Sequence, residues 1–342
     1  MSPDIAHTLP GGPERNPYSV AVFHARRDQA AWDKVLQTAD NATLFHTQEF
    51  LAYHPAGRFD NHHLIFRIGE EPRAIFTGAV RETEKGKALV SYPGASYGGL
   101  AYPPGLSFSH ARHLVDLLLR HAAEEGFKAL TLTPPPAIYS SQPGDVLTFH
   151  LLKAGFRYVK REITQAIPLI YPEEIVFHTL CNKTRTAIRK AMKADLQVDE
   201  DIALSDENLE VFYPLLWDNR RRLGVTPTHS VDELKRLRDL VPDQLSLSLV
   251  RHGKRPIAGI LNFVCNKRVL LIFYVCHDWE YQELRPVPLL VYRSMLWARR
   301  HAFLYLDFGT STLNMEPNWG LIKFKENFGS LGFFRDTLTI NL

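Results

Sequence analysis

The feature that most constrains this chain is an order of elements that it runs through twice. From 18 to 171 the hydrophobic periodicity predicts a strand, a helix, a short helix, three strands, then helix, strand, helix and strand. In detail, a strand over 18–23 precedes a helix that Asp28 is placed to cap and that carries Trp32, Val35, Leu36 and Ala39, and Thr47 caps a short helix over 45–51. Strands over 62–68, 74–81 and 88–92 follow, and the turn sequences Gly69-Glu70-Glu71-Pro72 and Glu84-Lys85-Gly86 suit an antiparallel meander. Ser109 caps a helix with Leu114, Leu117, Leu118 and Ala122 on one face and Gly126 at its end; a strand over 128–133, a helix over 146–154 and a strand over 157–169 complete the unit. From 172 to 342 the helices fall at 182–194, 206–223 and 230–240 and the strands at 245–251, 257–265 and 269–275. A helix over 288–301, a strand over 303–308, a helix about Lys323 and a strand over 333–342 follow. Single residues echo as well: Leu152-Lys-Ala-Gly-Phe156 running into Arg161-Glu-Ile-Thr164 answers Glu326-Asn-Phe-Gly329 running into Arg335-Asp-Thr-Leu338. A repeat of about 160 residues is too long for a solenoid unit. It fits two copies of one α/β (α+β) domain, each a mixed, mainly antiparallel sheet flanked by helices.

The 342 residues are enough for two such domains, 18–171 and 172–342, each able to bury a core of its own. Residues 1–17 are Pro/Gly-rich and polar and are expected to be a disordered leader rather than a signal peptide, because no apolar segment follows a basic one. No run of about 18 apolar residues occurs, which sets aside a transmembrane helix and leads to the expectation of a cytoplasmic protein. With 40 Lys+Arg against 37 Asp+Glu, overall charge does not select for nucleic acid. Cys181, Cys265 and Cys276 form no Cys-x-x-Cys pair, which fits buried thiols in a reducing compartment rather than disulfides or zinc. His277 beside Cys276 sits on a predicted strand, where neighbours face opposite ways, so no metal site is expected. No Walker loop, His-Glu-x-x-His or Ser/His/Asp ordering supports an ATPase, a zinc peptidase or a covalent hydrolase.

The densest chemistry lies from Asp307 to Gly329, DFGTSTLNMEPNWGLIKFKENFG. An apolar run ends at Gly309 and the hydroxyls Thr310, Ser311 and Thr312 follow, as where a buried strand opens into a ligand-facing loop. Beyond Trp319-Gly320, Phe324 and Phe328 share a helical face, and Gly329 stops the helix. Periodicity alone also fits an ordinary strand, loop, helix and strand with solvated lysines. A second stretch, Asn182 to Lys193, is an amphipathic helix free of acidic residues. Arg185, Arg189 and Lys193 make one row, Lys183 and Lys190 the next, and Ala187, Ile188, Ala191 and Met192 the opposite side. It is either a solvated basic face or a phosphate-contacting surface, which Arg220-Arg221-Arg222 could extend.

Asp307-Phe-Gly with its hydroxyls, then Gly320-Leu-x-x-Phe324-Lys325-x-x-Phe328-Gly329, resembles the C-terminal signature of the Fem peptidoglycan-bridge aminoacyltransferases and their FemAB-like relatives, which are GNAT-type acyltransferases. Arg185-x-x-Ile188-Arg189-Lys190-Ala191 resembles the stretch that starts their second domain. The resemblance implies a tandem GNAT pair catalysing direct acyl transfer to an amine, a reaction that develops an oxyanion needing a positive or N–H donor. It implies that Lys325 stabilises that charge or the leaving group, that Phe324 shapes the wall beside it, and that Arg185 and Arg189 meet phosphates of a nucleotide-linked acceptor or of tRNA. Asp307 and Tyr274 are further candidates for steering protons or binding the acceptor, and Ser311 and Trp319 for binding the substrate.

An acetyl-CoA enzyme of the usual kind grips pyrophosphate with a glycine-bearing loop at a helix N-terminus. The corresponding stretch in the second half, 275–286, has no glycine and holds Asp278, Glu280 and Glu283, with prolines at 286 and 288. In the first half Gly94 to Gly105 is rich in both glycine and proline. The expectation is therefore a cytoplasmic N-acyltransferase without a tightly bound cofactor, its donor an aminoacyl-tRNA or acyl-CoA. Its acceptor would be a small-molecule or nucleotide-linked amine of envelope or secondary metabolism. The helical hairpin that some Fem enzymes carry, associated with tRNA handling, is absent. The alternative is a catalytically silent tandem GNAT module that binds a phosphorylated ligand or a partner protein.

Overall fold

The structure, a computed structural model, describes residues 17–342, so apart from Pro17 the expected leader lies outside the described residues. The first half contains β1 (Tyr18–Val22), α1 (Ala25–Thr38), α2 (Gln48–Leu51), β2 (Asp60–Asn61), β3 (Leu64–Ile68), β4 (Glu71–Thr83), β5 (Gly86–Ser91) and β6 (Gly99–Ala101). It continues with α3 (Phe108–Glu124), β7 (Ala129–Leu132), α4 (Val146–Lys153) and β8 (Arg157–Pro168). The second half contains α5 (Glu173–Thr179), α6 (Asn182–Lys193), β9 (Leu196–Ile202), α7 (Asp206–Arg222), α8 (Val231–Leu240), β10 (Leu245–His252), β11 (Arg255–Val264) and β12 (Val269–His277). It ends with α9 (Pro286–Arg300), β13 (Tyr305–Thr310), the hairpin β14 (Thr312–Leu313) and β15 (Glu316–Pro317), α10 (Trp319–Glu326) and β16 (Leu331–Asn341).

Apart from the β14–β15 hairpin, the strands form one mainly antiparallel sheet, in the order β1-β3-β4-β5-β7-β16-β8-β13-β12-β11-β10-β9, with β2 and β6 pairing β4 beside this path. The parallel pairs are β5 with β7 and β12 with β13, and each is joined through a helix, α3 or α9. That recurrence is the doubled element order seen as architecture. The two units do not keep separate sheets. β16, the last strand of the chain, pairs with β8 from Leu331↔Ala166 to Thr339↔Arg157, and with β7 from Leu338↔Leu132 to Asn341↔Ala129. β8 in turn pairs with β13. Alternation identifies a strand but not its partner, and here the partner of a first-half strand lies some 170 positions away in sequence.

Helices cover both faces of the second-half sheet. On β12, Val269 and Leu271 join the cluster with Leu209, Phe212 and Leu216 of α7, while Leu270 and Ile272 join the opposite cluster with Ile188 of α6 and Leu290 of α9. Several local expectations shift. Asp28 lies inside α1, not at its cap; its buried carboxylate accepts from the His24 backbone N–H (2.9 Å) and from Arg67 (3.0 Å). Ser107, not Ser109, caps α3, with its Oγ accepting from His110 N (3.2 Å). Thr47 does cap α2, accepting from Phe50 N (3.2 Å). β9 is a charged edge strand, Leu-Gln-Val-Asp-Glu-Asp-Ile, whose Asp199 meets Arg251 (2.7 Å); acids of this kind blunt an edge and hide the hydrophobic alternation.

Candidate active site

The site begins where the two parallel strands of the second half part. β12 and β13 pair at Val269↔Tyr305, Leu270↔Leu306 and Leu271↔Asp307 and then separate, β13 bending toward β8 at Thr310↔Thr164. The wedge is a cavity of about 380 Å³ between Leu271, Phe273 and Val275 on one side and Phe308, Gly309 and Thr310 on the other, with Phe324 and Lys325 of α10 at its side. It continues past Arg220, Val275 and Phe324 into a groove of about 1150 Å³ along α6 and the start of α9. Past Ser96, Phe273 and Arg335 it continues into a third space of about 300 Å³, walled by Phe45, Phe50, Tyr53 and Phe59.

The equivalent wedge in the first half is stitched shut. β5 and β7 separate after Val90↔Thr131, but Ser91 Oγ accepts from Thr133 N (2.9 Å) and Gly98 N donates to Thr133 O (3.0 Å). A Cβ at Gly98 would stand 3.0 Å from Thr77 Oγ1 and 3.1 Å from Tyr92 N. At that position the glycine-rich loop serves close packing of backbone.

Lys325 is 3% exposed, not a solvated surface lysine. Its Nζ donates to Gly309 O (2.7 Å), Thr310 O (3.0 Å) and Ser311 Oγ (2.8 Å), which engages all three hydrogens of an ammonium. Burial pushes its pKa down to about 8, against a pull upward from the charge of Asp307. Phe324 stands beside it in the cavity wall and packs edge-on against Phe308 and Phe328. The ammonium therefore holds the loop after β13 in shape. An additional acceptor, such as an oxyanion, reaches it only by taking the place of one of these three.

The other expected residues divide between scaffold and surface. Asp307 is fully buried away from the cavity lining; it accepts from Tyr139 Oη (2.8 Å), Thr164 Oγ1 (2.7 Å) and Gly309 N (2.7 Å). Gly309 has φ +71°, the left-handed region that suits glycine, and this turn aims the loop carbonyls at Lys325. Ser311 is buried and donates to Gln165 Oε1 (2.6 Å) while accepting from Lys325. Tyr274 is buried too, its hydroxyl accepting from His229 N (3.0 Å) and paired with His229 Nδ1 (2.8 Å), and His229 Nε2 meets Tyr53 Oη (3.0 Å). Trp319 is 74% exposed and lines none of the three spaces.

The basic helix forms as expected, but another of its faces meets the groove. Lys183, Thr186, Ala187 and Lys190 line it, whereas Arg185 bonds Asn182 Oδ1 and Arg189 stacks over Phe177 (5.1 Å). Thr184, Ile188 and Ala191 are buried and Met192 is exposed, so the true apolar stripe is rotated from the expected one by the packing of α6 on α9. Arg285 and Lys323 also line the groove; Glu283 pairs with both Lys190 (3.4 Å) and Arg285 (3.5 Å), and Glu326 with Lys323 (3.6 Å), so these cations are shared with exposed acids. At the start of α9, Pro286 and Pro288 remove two backbone donors and leave those of Val287 and Leu289.

Two cations outside the two signature stretches also reach the cavity. Arg220, at the end of α7, lies 5.7 Å from the Tyr274 ring centre. Arg335, from β16, donates to Thr310 Oγ1 (2.8 Å) and Ser96 O (2.7 Å) and lies over Tyr97 (4.9 Å). Together with Lys325 they are the charged groups of the lining, which contains no carboxylate among the described residues. The sequence signal for Arg335 was its parity: on the last strand it shares a face with Phe333, which packs on Tyr305.

Residues 181–318 match the family model described as acetyltransferase (GNAT) domain. No curated protein matches the chain. Among solved structures, FemX aligns at 14% identity over 94% of this chain and 97% of that one, with a TM-score of 0.71. The C-terminal domain of a putative lysylphosphatidylglycerol synthetase from Agrobacterium fabrum aligns at 10% identity over 93% of each chain, with a TM-score of 0.59. A tandem GNAT protein from the clavulanic acid biosynthesis pathway aligns at 11% identity over 95% and 98%, with a TM-score of 0.56. The chain has the FemAB-like tandem GNAT fold. Among the described residues no helix is long and apolar enough to cross a membrane, and no cluster of three metal-ligating side chains occurs.

Proposed function

We propose that the protein is an N-acyltransferase that moves an acyl or aminoacyl group from an activated ester or thioester to an amine within the wedge between β12 and β13. The observation that carries this reading is the open separation of these strands after Leu271↔Asp307, set against the closed one in the first half. Beyond Leu271 the β12 edge facing the wedge has no ladder partner among the described residues, so its backbone N–H groups can meet a carbonyl oxygen that gains charge. The phosphate-bearing arm of the donor, acyl-CoA or aminoacyl-tRNA, would lie along the groove of Lys183, Lys190, Arg285 and Lys323. The acceptor would arrive from the opposite side, through the aromatic space of Phe45, Phe50 and Tyr53.

In the reaction the neutral amine attacks the carbonyl carbon, an N–C bond forms and the C–S or C–O bond breaks. The proton lost by nitrogen balances the one taken up by the leaving thiol or hydroxyl. Lys325 keeps the Gly309–Ser311 loop in place and supplies positive potential beside the carbonyl. The test is to incubate the protein with acyl-CoA or charged tRNA and a panel of amines, and to look for the amide by mass spectrometry. Hydrolysis alone, or no product from either donor, counts against transfer.

A second reading, a silent binding module, is favoured by the prolines of α9 and by the fully engaged Lys325. It predicts binding of phosphorylated ligands without turnover.

A further inference from the structure

The 300 Å³ space on the acceptor side has an uneven balance of charge. Arg58 at its rim is neutralised by Glu233 at 2.5 Å. His54 and His229 are uncharged at neutral pH, because burial pushes each down to about 4. Arg335 remains. It is half-buried, its two bonds go to neutral oxygens, and it has no carboxylate within ion-pair distance among the described residues. It lines both this space and the wedge, so it marks the passage between acceptor entry and the point of acyl transfer. A guanidinium taken partly out of water costs free energy unless an anion meets it, and its planar fork matches a carboxylate through two parallel bonds. Two of its five N–H groups are engaged, which leaves enough for such a pair.

Apart from Ser96 and Thr228, the rest of the lining is apolar or aromatic. Phe45, Phe50, Tyr53, Phe59 and Phe273 wall it, with Phe263 stacked behind Phe273 (4.3 Å between ring centres). Rings of this kind receive an apolar or aromatic body. We infer that the acceptor is a primary amine carrying a carboxylate and an aromatic or bulky apolar body, an amino acid in chemical class, and that Arg335 binds the carboxylate so that the amine points into the wedge. This rests on the acyl-transfer reading and deepens it by naming the acceptor. Arg335 acts here as a binding and positioning residue.

The test separates the two levels. Calorimetry without any acyl donor compares L-phenylalanine, L-tyrosine and L-tryptophan with phenethylamine, tyramine and tryptamine, which differ from them by the carboxylate. The expected result is tighter binding of the amino acids by about tenfold or more, since a charge-assisted pair is lost with the carboxylate. In Arg335→Met that preference disappears while amine affinity stays within about twofold, and Arg335→Lys keeps part of it. The inference is overturned if the wild-type protein binds each amine as tightly as its amino acid, if none of the six binds, or if Arg335→Met weakens both classes equally. The wild-type comparison decides even if a variant fails to fold. Acyl transfer to the decarboxylated amines alone would uphold the transferase reading and remove this one, whereas carboxylate-dependent amino-acid binding without any transfer would keep Arg335 as a carboxylate-binding residue and remove both the transferase reading and the acceptor role.

Discussion

Replacing Lys325 by Met keeps the aliphatic stem and the helix propensity and removes only the ammonium. On the sequence alone such a change looks harmless to folding, because exposed substitutions stay within about 0.5 kcal/mol. The structure alters that expectation. Three charge-assisted hydrogen bonds, to Gly309 O, Thr310 O and Ser311 Oγ, disappear at a gross cost of roughly 1.5–3 kcal/mol each. Against this, the variant no longer buries a charge. A fall in pKa from 10.5 to about 8 corresponds to about 3 kcal/mol of that burden. The balance is a net destabilisation of about 1.5–6 kcal/mol, read from urea unfolding.

pH separates the structural role from the chemical one. The folded pKa lies below the unfolded one, so the penalty is present below pH 8 and is relieved as pH rises from about 8 toward 10.5. Wild-type stability should gain from this group across that window, and Lys325→Met should not. If the charged form also supports the developing oxyanion, turnover holds below about pH 8 and declines above it. Lys325→Met then loses about 100-fold or more in kcat, the scale of one such donor. A variant with the wild-type urea midpoint, the wild-type kcat and an unchanged pH profile would refute both parts.

Asp307→Asn should cost about 1–3 kcal/mol in urea unfolding, because its amide turns a donor toward Tyr139, Thr164 or Gly309 N, all donors themselves. Gly309→Ala meets no close atom, the nearest being Leu271 Cδ1 at 3.9 Å, yet forces a side chain into φ +71°. It should destabilise by about 1–2 kcal/mol and lower kcat through the displaced loop. Lys183→Ala with Lys190→Ala should raise the KM for the phosphate-bearing donor and flatten its salt dependence, whereas Arg185→Ala with Arg189→Ala should change neither. Equal effects of the two pairs would mean that α6 offers no particular face to the donor.

Periodicity made much of this legible: the doubled order, the meander of β3, β4 and β5, the two crossover helices and the capped α2 all follow from local pattern. The α10 segment could also be placed beside an open strand end, because Phe324, packed on Phe308 of β13 and on Phe328 just past the helix end, marks the side turned to the strand. What local pattern does not carry is which partner a strand finds and which way a polar side chain turns. Lys325 and Asp307 look alike in sequence as charged residues near a loop, yet one lines the cavity and the other is sealed behind it by Tyr139 and Thr164. Five cations on α6 gave a basic surface but not its orientation, which the contact with α9 decides. The parity of Arg335 with Phe333 showed its face of the strand but not the cavity it meets, because that strand enters the sheet between β7 and β8, far from its own half.

The same strand exchange predicts how the two halves depend on each other. Tyr139 and Thr164 of the first half hold Asp307, Asp307 holds Gly309, and Gln165 holds Ser311, which bonds Lys325. Glu162 adds a bond to Thr312 on the same loop. Residues 172–342 expressed alone would lose β8 and leave edges of β13 and β16 unpaired, a template for aggregation. A protease site placed at Ile170-Tyr171, both exposed, would instead cut the connection without removing any strand pairing. The nicked halves should copurify, unfold together and keep the activity of the intact chain. A monomeric, cooperatively unfolding and active 172–342 fragment would show that the first half, its own wedge closed, contributes nothing to the geometry of the site.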